Sequence, residues 1–222
     1  MRRSLTIKPK NMRIKLQLLV VWFAILLGHS CLGEDSGVTL QTGGTQIVLS
    51  KGWERLDQPE NFVVQKRALN AERKIALSAG TLKIDLTLTQ YVALGIFGLE
   101  HGPEKGMELA TKLSAERAHI PIEEVRKAVQ SKIGQQTLEQ LKKASALCSF
   151  EFLSVTNVEI SAAPAFEIRS KMTILQSSQV IFNRQFVYQE TGAQEIVQIT
   201  YAIASDDVFG DKSLIDAIRR PK

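Results

Sequence analysis

The sequence predicts an α+β domain: an antiparallel β-sheet flanked by helices, with a helical elaboration over about residues 104–146. One observation is strand alternation. In Ala165–Leu175, Phe166, Ile168, Met172 and Ile174 alternate with Glu167, Arg169, Lys171 and Thr173; in Glu195–Ala204 the inward set is Val197, Ile199, Tyr201 and Ile203. Such period-two runs describe strands with one covered and one more polar face, hence an antiparallel sheet. A second observation is that between Thr87 and Ala146 apolar residues recur at helical spacing instead. An apolar content of 44% is ordinary for a globular chain and argues against wholesale disorder.

The chain opens on Arg2, Arg3, Lys8, Lys10, Arg13 and Lys15 without an acid, followed by the apolar run Leu16–Leu27 and the small-residue stretch Gly28–Gly33. A basic leader, a short apolar segment and a cleavage zone form an export signal, so 1–33 is expected to be a signal peptide and 34–222 a single domain. The apolar run is well short of the roughly 20 residues that span a bilayer as a helix. Two processing routes are open. Cleavage after Gly33 discards Cys31 and leaves Cys148 alone, whereas cleavage before Cys31 makes it a lipid-attachment cysteine. The match to a lipobox is partial, with Ser30 suitable and Gly28 standing where a leucine is usual. A retained signal-anchor is a third route.

Removal of the leader changes the charge argument. Six of the 28 Lys and Arg leave with it, so 22 bases face 23 acids and the net charge falls to −1. No basic stripe interleaved with aromatics remains, which argues against nucleic-acid binding through the phosphate backbone.

The elements follow in order. Val38–Leu40 and Gln46–Leu49 flank Thr42-Gly43-Gly44-Thr45, a hairpin turn. Phe62–Val64 and Lys74–Leu77 read as strands joined by the Asn70–Arg73 turn, and Gly80 marks a bulge or an end before Leu82–Ile84. Thr87 and Gln90 form a capping box, opening a helix that His101-Gly102-Pro103 stops. A second helix covers about 104–118. Pro121 starts a third, whose stripe of Ile122, Val125, Val129 and Ile133 continues through Leu138 and Leu141 to about Ala146. Phe150–Ile160 and Gln179–Gln189 add two strands, and Asp211 caps a last helix over Lys212–Arg220.

This order resembles the PsbP/Mog1 family: an apolar strand leading to Gly52-Trp53, a hairpin, a capped helix, antiparallel strands and a closing Leu214–Ile218 helix. The resemblance covers about 45–99 and 150–220, and the helices over 104–146 are longer than that core needs. It implies an α/β/α sandwich. It also implies a binding or assembly role, with no catalytic motif to transfer.

The residues themselves offer few sites. His101 and His119 lack metal-ligand spacing, and no HExxH, GxSxG, Walker or GxGxxG motif is present. No metal, cofactor or catalytic residue is therefore expected. His119 reads as a helix-boundary residue, Glu123-Glu124 and Asp206-Asp207 as dipole and turn acids, Trp53 as a core anchor and Cys148 as a buried hydrophobe. Arg184 stands out because it shares its strand face with Val180, Phe182, Phe186 and Tyr188. A buried charge is costly unless answered, so Arg184 must snorkel to solvent, pair with an acid, or line a pocket for an anionic ligand.

The expected role is an exported, periplasmic or secreted bacterial envelope protein, acting as a non-enzymatic binding module on an unidentified envelope partner. The alternatives are a secreted enzyme without a linear motif and a lipoprotein anchored at Cys31. Membrane contact is expected only if Cys31 is acylated or the leader is kept.

Overall fold

The computed structural model describes residues 37–56, 65–83, 86–130, 135, 139, 142–143, 145–190 and 195–220. The leader with Cys31, the Phe62–Val64 strand and the Ile133–Leu141 part of the stripe lie outside these residues, Gln135 and Glu139 apart.

The strands are β1 (Thr39–Thr42), β2 (Thr45–Val48), β3 (Glu54–Leu56), β4 (Gln65–Asn70), β5 (Ile75–Lys83), β6 (Cys148–Ile160), β7 (Ala163–Ile174), β8 (Gln179–Gln189), β9 (Glu195–Ile203) and β10 (Ile218–Arg219). The helices are α1 (Leu88–His101), α2 (Pro103–Ala118), α3 (Ile122–Val129) and the four-residue α4 (Ser213–Asp216), preceded by a 3-10 turn at Asp206–Phe209. Seven strands form an antiparallel sheet in the order β3-β4-β5-β9-β8-β7-β6.

Both faces of this sheet are covered. On one, Tyr91 and Val92 of α1 pack onto Leu82, Ile168, Val187 and Ile196; α2 lies against α1 and α3 against α2. On the other, the β1–β2 hairpin, the 3-10 turn and α4 bring Leu40, Ile47, Val208 and Leu214 onto Leu77, Phe186, Ile199 and Tyr201. Trp53 is buried in that core, edge-on to Tyr201, as its sequence context predicts.

Local chemistry explains the elements. The Thr87 hydroxyl accepts from the Gln90 N–H while Gln90 reaches back to the Thr87 N–H, so the capping box forms. The next break is Gly102, at φ 88°, before Pro103. The hairpin turns at Gly43, whose φ of 57° favours glycine and whose added Cβ would press on Thr81 and Glu190. Glu190 accepts from the Gly44 N–H and the Thr45 hydroxyl, fastening the turn to the end of β8.

Three expectations need correction. Gly80 neither ends nor bulges its strand: β5 runs unbroken through it, in register with Gln198. The last helix stops at Asp216, because Ile218 and Arg219 leave it to pair with Ile47 and Gln46. Asp211 still accepts from the Ser213 N–H at its start. The polar faces of the strands are not exposed as a class, since helices cover one side and the hairpin the other. Glu167 on β7 is 2% exposed.

Candidate functional site

Arg184 lies on the hairpin side of β8 and is 4% exposed. Of the three dispositions open to it, it takes the pairing with an acid. Its Nη2 donates to Glu167 Oε2 at 3.1 Å, and its Nη1 donates to the carbonyls of Asp211 at 2.6 Å and Val208 at 3.1 Å. The guanidinium also sits over the Phe186 ring, 4.9 Å from its centroid. Arg169 Nε donates to the other Glu167 oxygen at 2.5 Å, so one buried carboxylate serves two arginines. The network ties β7 and β8 to the 208–211 segment. Asp211 in turn pairs with Arg73. Burial raises the Asp211 carboxyl, but hydrogen bonds from Ser213 and Arg73 outweigh it and hold the pKa below the usual carboxylate range. Tyr201 donates to the Leu214 carbonyl in the same core, and burial pushes its phenol well up.

The remaining sequence candidates are not brought together. His101 and His119 flank the two ends of α2, whose 16 residues span about 24 Å. His101 meets the Phe97 ring edge-on, and His119 adopts a left-handed conformation as the α2 cap. Glu123 pairs with Arg126 one turn on. Cys148 is buried, and burial raises its thiol. Asp207 accepts from Ser205 at the start of the 3-10 turn. Among the described residues no three His, Cys, Asp or Glu side chains cluster as metal ligands. A groove of about 240 Å³ between α2 and α3 is lined by Met107, Glu108, Thr111, Ile122, Arg126 and Gln130. The Thr111 hydroxyl donates to the Met107 carbonyl at 2.8 Å.

The sheet edge is different. β6 is an outermost strand, 13 residues long, and among the described strands it pairs with β7 alone. Among the described residues the exposed large hydrophobics are Leu147, Leu153, Val155 and Leu175, at 44, 39, 38 and 54% exposure. Leu153 and Val155 lie in β6, Leu147 immediately precedes it, and Leu175 immediately follows the neighbouring β7. Leu147 and Leu175 meet at one end, where the Leu175 N–H donates to the Leu147 carbonyl. Leu153 is the extra residue of a β-bulge between Phe152 and Ser154, and Val155 follows it. Singly exposed apolar residues are unremarkable, whereas several beside one edge strand give that edge an apolar character. From sequence these leucines are indistinguishable from core. Only the strand order reveals that, among the described residues, no strand follows β6.

The fold and this edge define a two-face-covered antiparallel α+β domain with an open side. No family model matches the chain, and no curated protein matches it. Among solved structures it is similar to cyanobacterial PsbP (CyanoP) from Synechocystis sp. PCC 6803, at 13% identity and a TM-score of 0.48, covering 88% of this chain and 99% of that one. It is also similar to the Saccharomyces cerevisiae Ran-binding protein Mog1p, at 11% identity and a TM-score of 0.39, covering 83% and 89%. The two names are those of the family that the order of elements resembles.

Proposed function

We propose that this protein is an exported bacterial envelope protein that acts as a non-enzymatic binding or assembly module, and that it docks an extended segment of a partner protein along β6. The observation that carries this reading is the open 13-residue edge with Leu147, Leu153, Val155 and Leu175 exposed beside it. An unpaired strand edge offers main-chain donors and acceptors to an added strand, and flanking apolar side chains give that strand something to bury. Export rests on the layout of residues 1–33, with Cys31 acylation the second route.

A photocrosslinking side chain placed at Leu153 or Leu175 is expected to give a discrete adduct in intact cells, whereas one at Glu72, in the β4–β5 turn, is not. Leu153→Asp with Val155→Asp should abolish the adduct formed from Leu175 and leave the unfolding midpoint nearly unchanged. Retention of that adduct by the double variant would refute docking at this edge. Mass spectrometry of the mature N-terminus separates a start at Glu34 from an acylated Cys31. Recovery of the intact leader on cytosolic protein would refute export.

A further inference from the structure

The helix-covered face of the sheet holds a second buried arginine. Arg67 on β4 is 3% exposed, and its Nη1 has no hydrogen-bond partner. Among the described residues no carboxylate pairs with it, and burial alone depresses its pKa. Its surroundings follow from register. Arg67 is paired with Ser78, Ser78 with Thr200, and Thr200 with Gln185, one rung across four neighbouring strands. Neighbouring strands lie about 4.8 Å apart, so Arg67, Ser78 and Thr200 span about 10 Å, a gap that the long arginine side chain reaches across toward the two hydroxyls, while Gln185 lies one strand farther off. Gln198, opposite the side-chain-free Gly80, lies one rung to one side; Asn183 and Ser170, themselves paired, lie one rung to the other.

These side chains share a condition. The Ser78, Thr200 and Ser170 hydroxyls, Gln198 Nε2 and Asn183 Nδ2 are buried without a hydrogen-bond partner. Tyr91 of α1 explains part of this: its hydroxyl donates to Gln198 Oε1 at 2.5 Å, which fixes the amide and leaves Nε2 as a free donor. Arginine and the amide nitrogens can only donate, and the hydroxyls are free to do so. The open set therefore combines one positive charge with several donors, and no acceptor-only atom competes. The guanidinium charge repels a cation, and the hydroxyls alone are weak neutral ligands for one. Water can accept from these groups but cannot balance the guanidinium charge, and buried charges are as a rule paired.

We propose that Arg67, Ser78 and Thr200 form a binding site for an oxyanion group, a carboxylate or phosphate, held by Arg67 and hydrogen-bonded by Ser78 and Thr200, with Gln198 closing its flank. The site lies inside the helix-covered layer, so it stands or falls independently of docking at β6. The same chemistry is offered by a free small acid and by the headgroup of an acyl chain.

The test uses the purified mature protein, titrated by calorimetry and thermal unfolding with inorganic phosphate, acetate or dodecanoate, against chloride at equal ionic strength. At least one oxyanion is expected to bind saturably and raise the unfolding midpoint by several degrees, as a ligand that binds only the folded state must. Phosphate or acetate binding identifies a free acid; dodecanoate alone identifies a headgroup on a chain. Arg67→Met should abolish the shift while raising the midpoint of the ligand-free protein, because an unanswered charge has been removed. A merely structural arginine would lower it. Thr200→Val should weaken binding about tenfold, the loss of one hydrogen bond to a charged group, and it decides the matter should Arg67→Met fail to fold. Absence of a shift with all three oxyanions, or wild-type binding by Thr200→Val, would overturn the proposal.

Discussion

Arg184 and Arg67 are buried to the same degree on opposite faces of one sheet. Arg184, on β8, meets a carboxylate, two carbonyls and an aromatic ring, all supplied by the chain. Arg67, on β4, is paired in register with Ser78, whose hydroxyl has no hydrogen-bond partner, and its own Nη1 has none either. Desolvating a guanidinium carries the same penalty on either face, so the difference lies in who supplies the compensation. On the hairpin side the fold supplies it, and the arginine acts as a clamp on the C-terminal segment. On the helix side no carboxylate among the described residues answers it, and in our proposal the arginine receives an anion instead.

The sharpest way to break this comparison is to take away the answer to Arg184. Glu167→Gln keeps the shape of the side chain but leaves Arg184 and Arg169 without their shared carboxylate. Removing one partner of a buried pair costs about 3–5 kcal/mol, which denaturant unfolding at pH 7 would register as a large drop in midpoint. Adding Arg184→Met should return most of that loss, because the orphaned charge is then gone too. If Glu167→Gln were as stable as the wild type, the clamp would have no energetic content and the two arginines would not differ.

How much of this was legible in the sequence depends on what alternation can encode. The strands 165–175 and 195–204 and the Thr87–Gln90 box were readable because each is a local pattern with a local cause. Alternation separates the two faces of a strand but does not say which layer covers each. The register Arg169–Arg184–Tyr201 puts the apolar set of β7 on the helix side and that of β9 on the hairpin side. Both strands had looked as though they faced a single core. Glu167, read as polar-face residue, is buried for that reason. The C-terminal helix was misjudged because Leu214, Ile215 and Ile218 fit a helical stripe equally well, while the pairing of Ile218 with Ile47 is 171 residues distant along the chain. Arg184 announced itself as a lone charge among aromatics. Arg67 did not, since beside Lys66 it looks like half of a solvated basic pair.

A smaller effect probes the helix-side face. Tyr91→Phe removes the hydroxyl that orients Gln198 and strands the Gln198 Oε1 acceptor in the interior. A buried group left unsatisfied costs about 1–3 kcal/mol, and oxyanion binding should weaken with it because the amide is freed to turn. Calorimetric unfolding with and without the anion measures both. Loss of stability with unchanged anion affinity would show that Tyr91 only fastens α1 to the sheet and does not aim the Gln198 amide.

The smallest effect lies at the outer end of the Arg184 clamp. Asp211 has a carboxyl whose folded-state pKa is depressed from 3.8 although burial opposes the shift, because Ser213 and Arg73 donate to it. A depressed acid contributes stability that is fully present above its unfolded value and is lost as pH falls through the folded one. The contribution should therefore be constant from pH 7 to about 5 and fade below about pH 4. The Arg73–Asp211 pair is partly solvated, which limits its worth to under about 1 kcal/mol and makes it salt-sensitive. Asp211→Asn should flatten that part of the acid limb in a pH series of unfolding midpoints while leaving the Arg184 contact to the Asp211 carbonyl in place, since that bond is to main chain. An acid limb unchanged by the substitution would move the origin of the acid sensitivity away from this residue. The clamp would then be held by Glu167 and the two carbonyls alone.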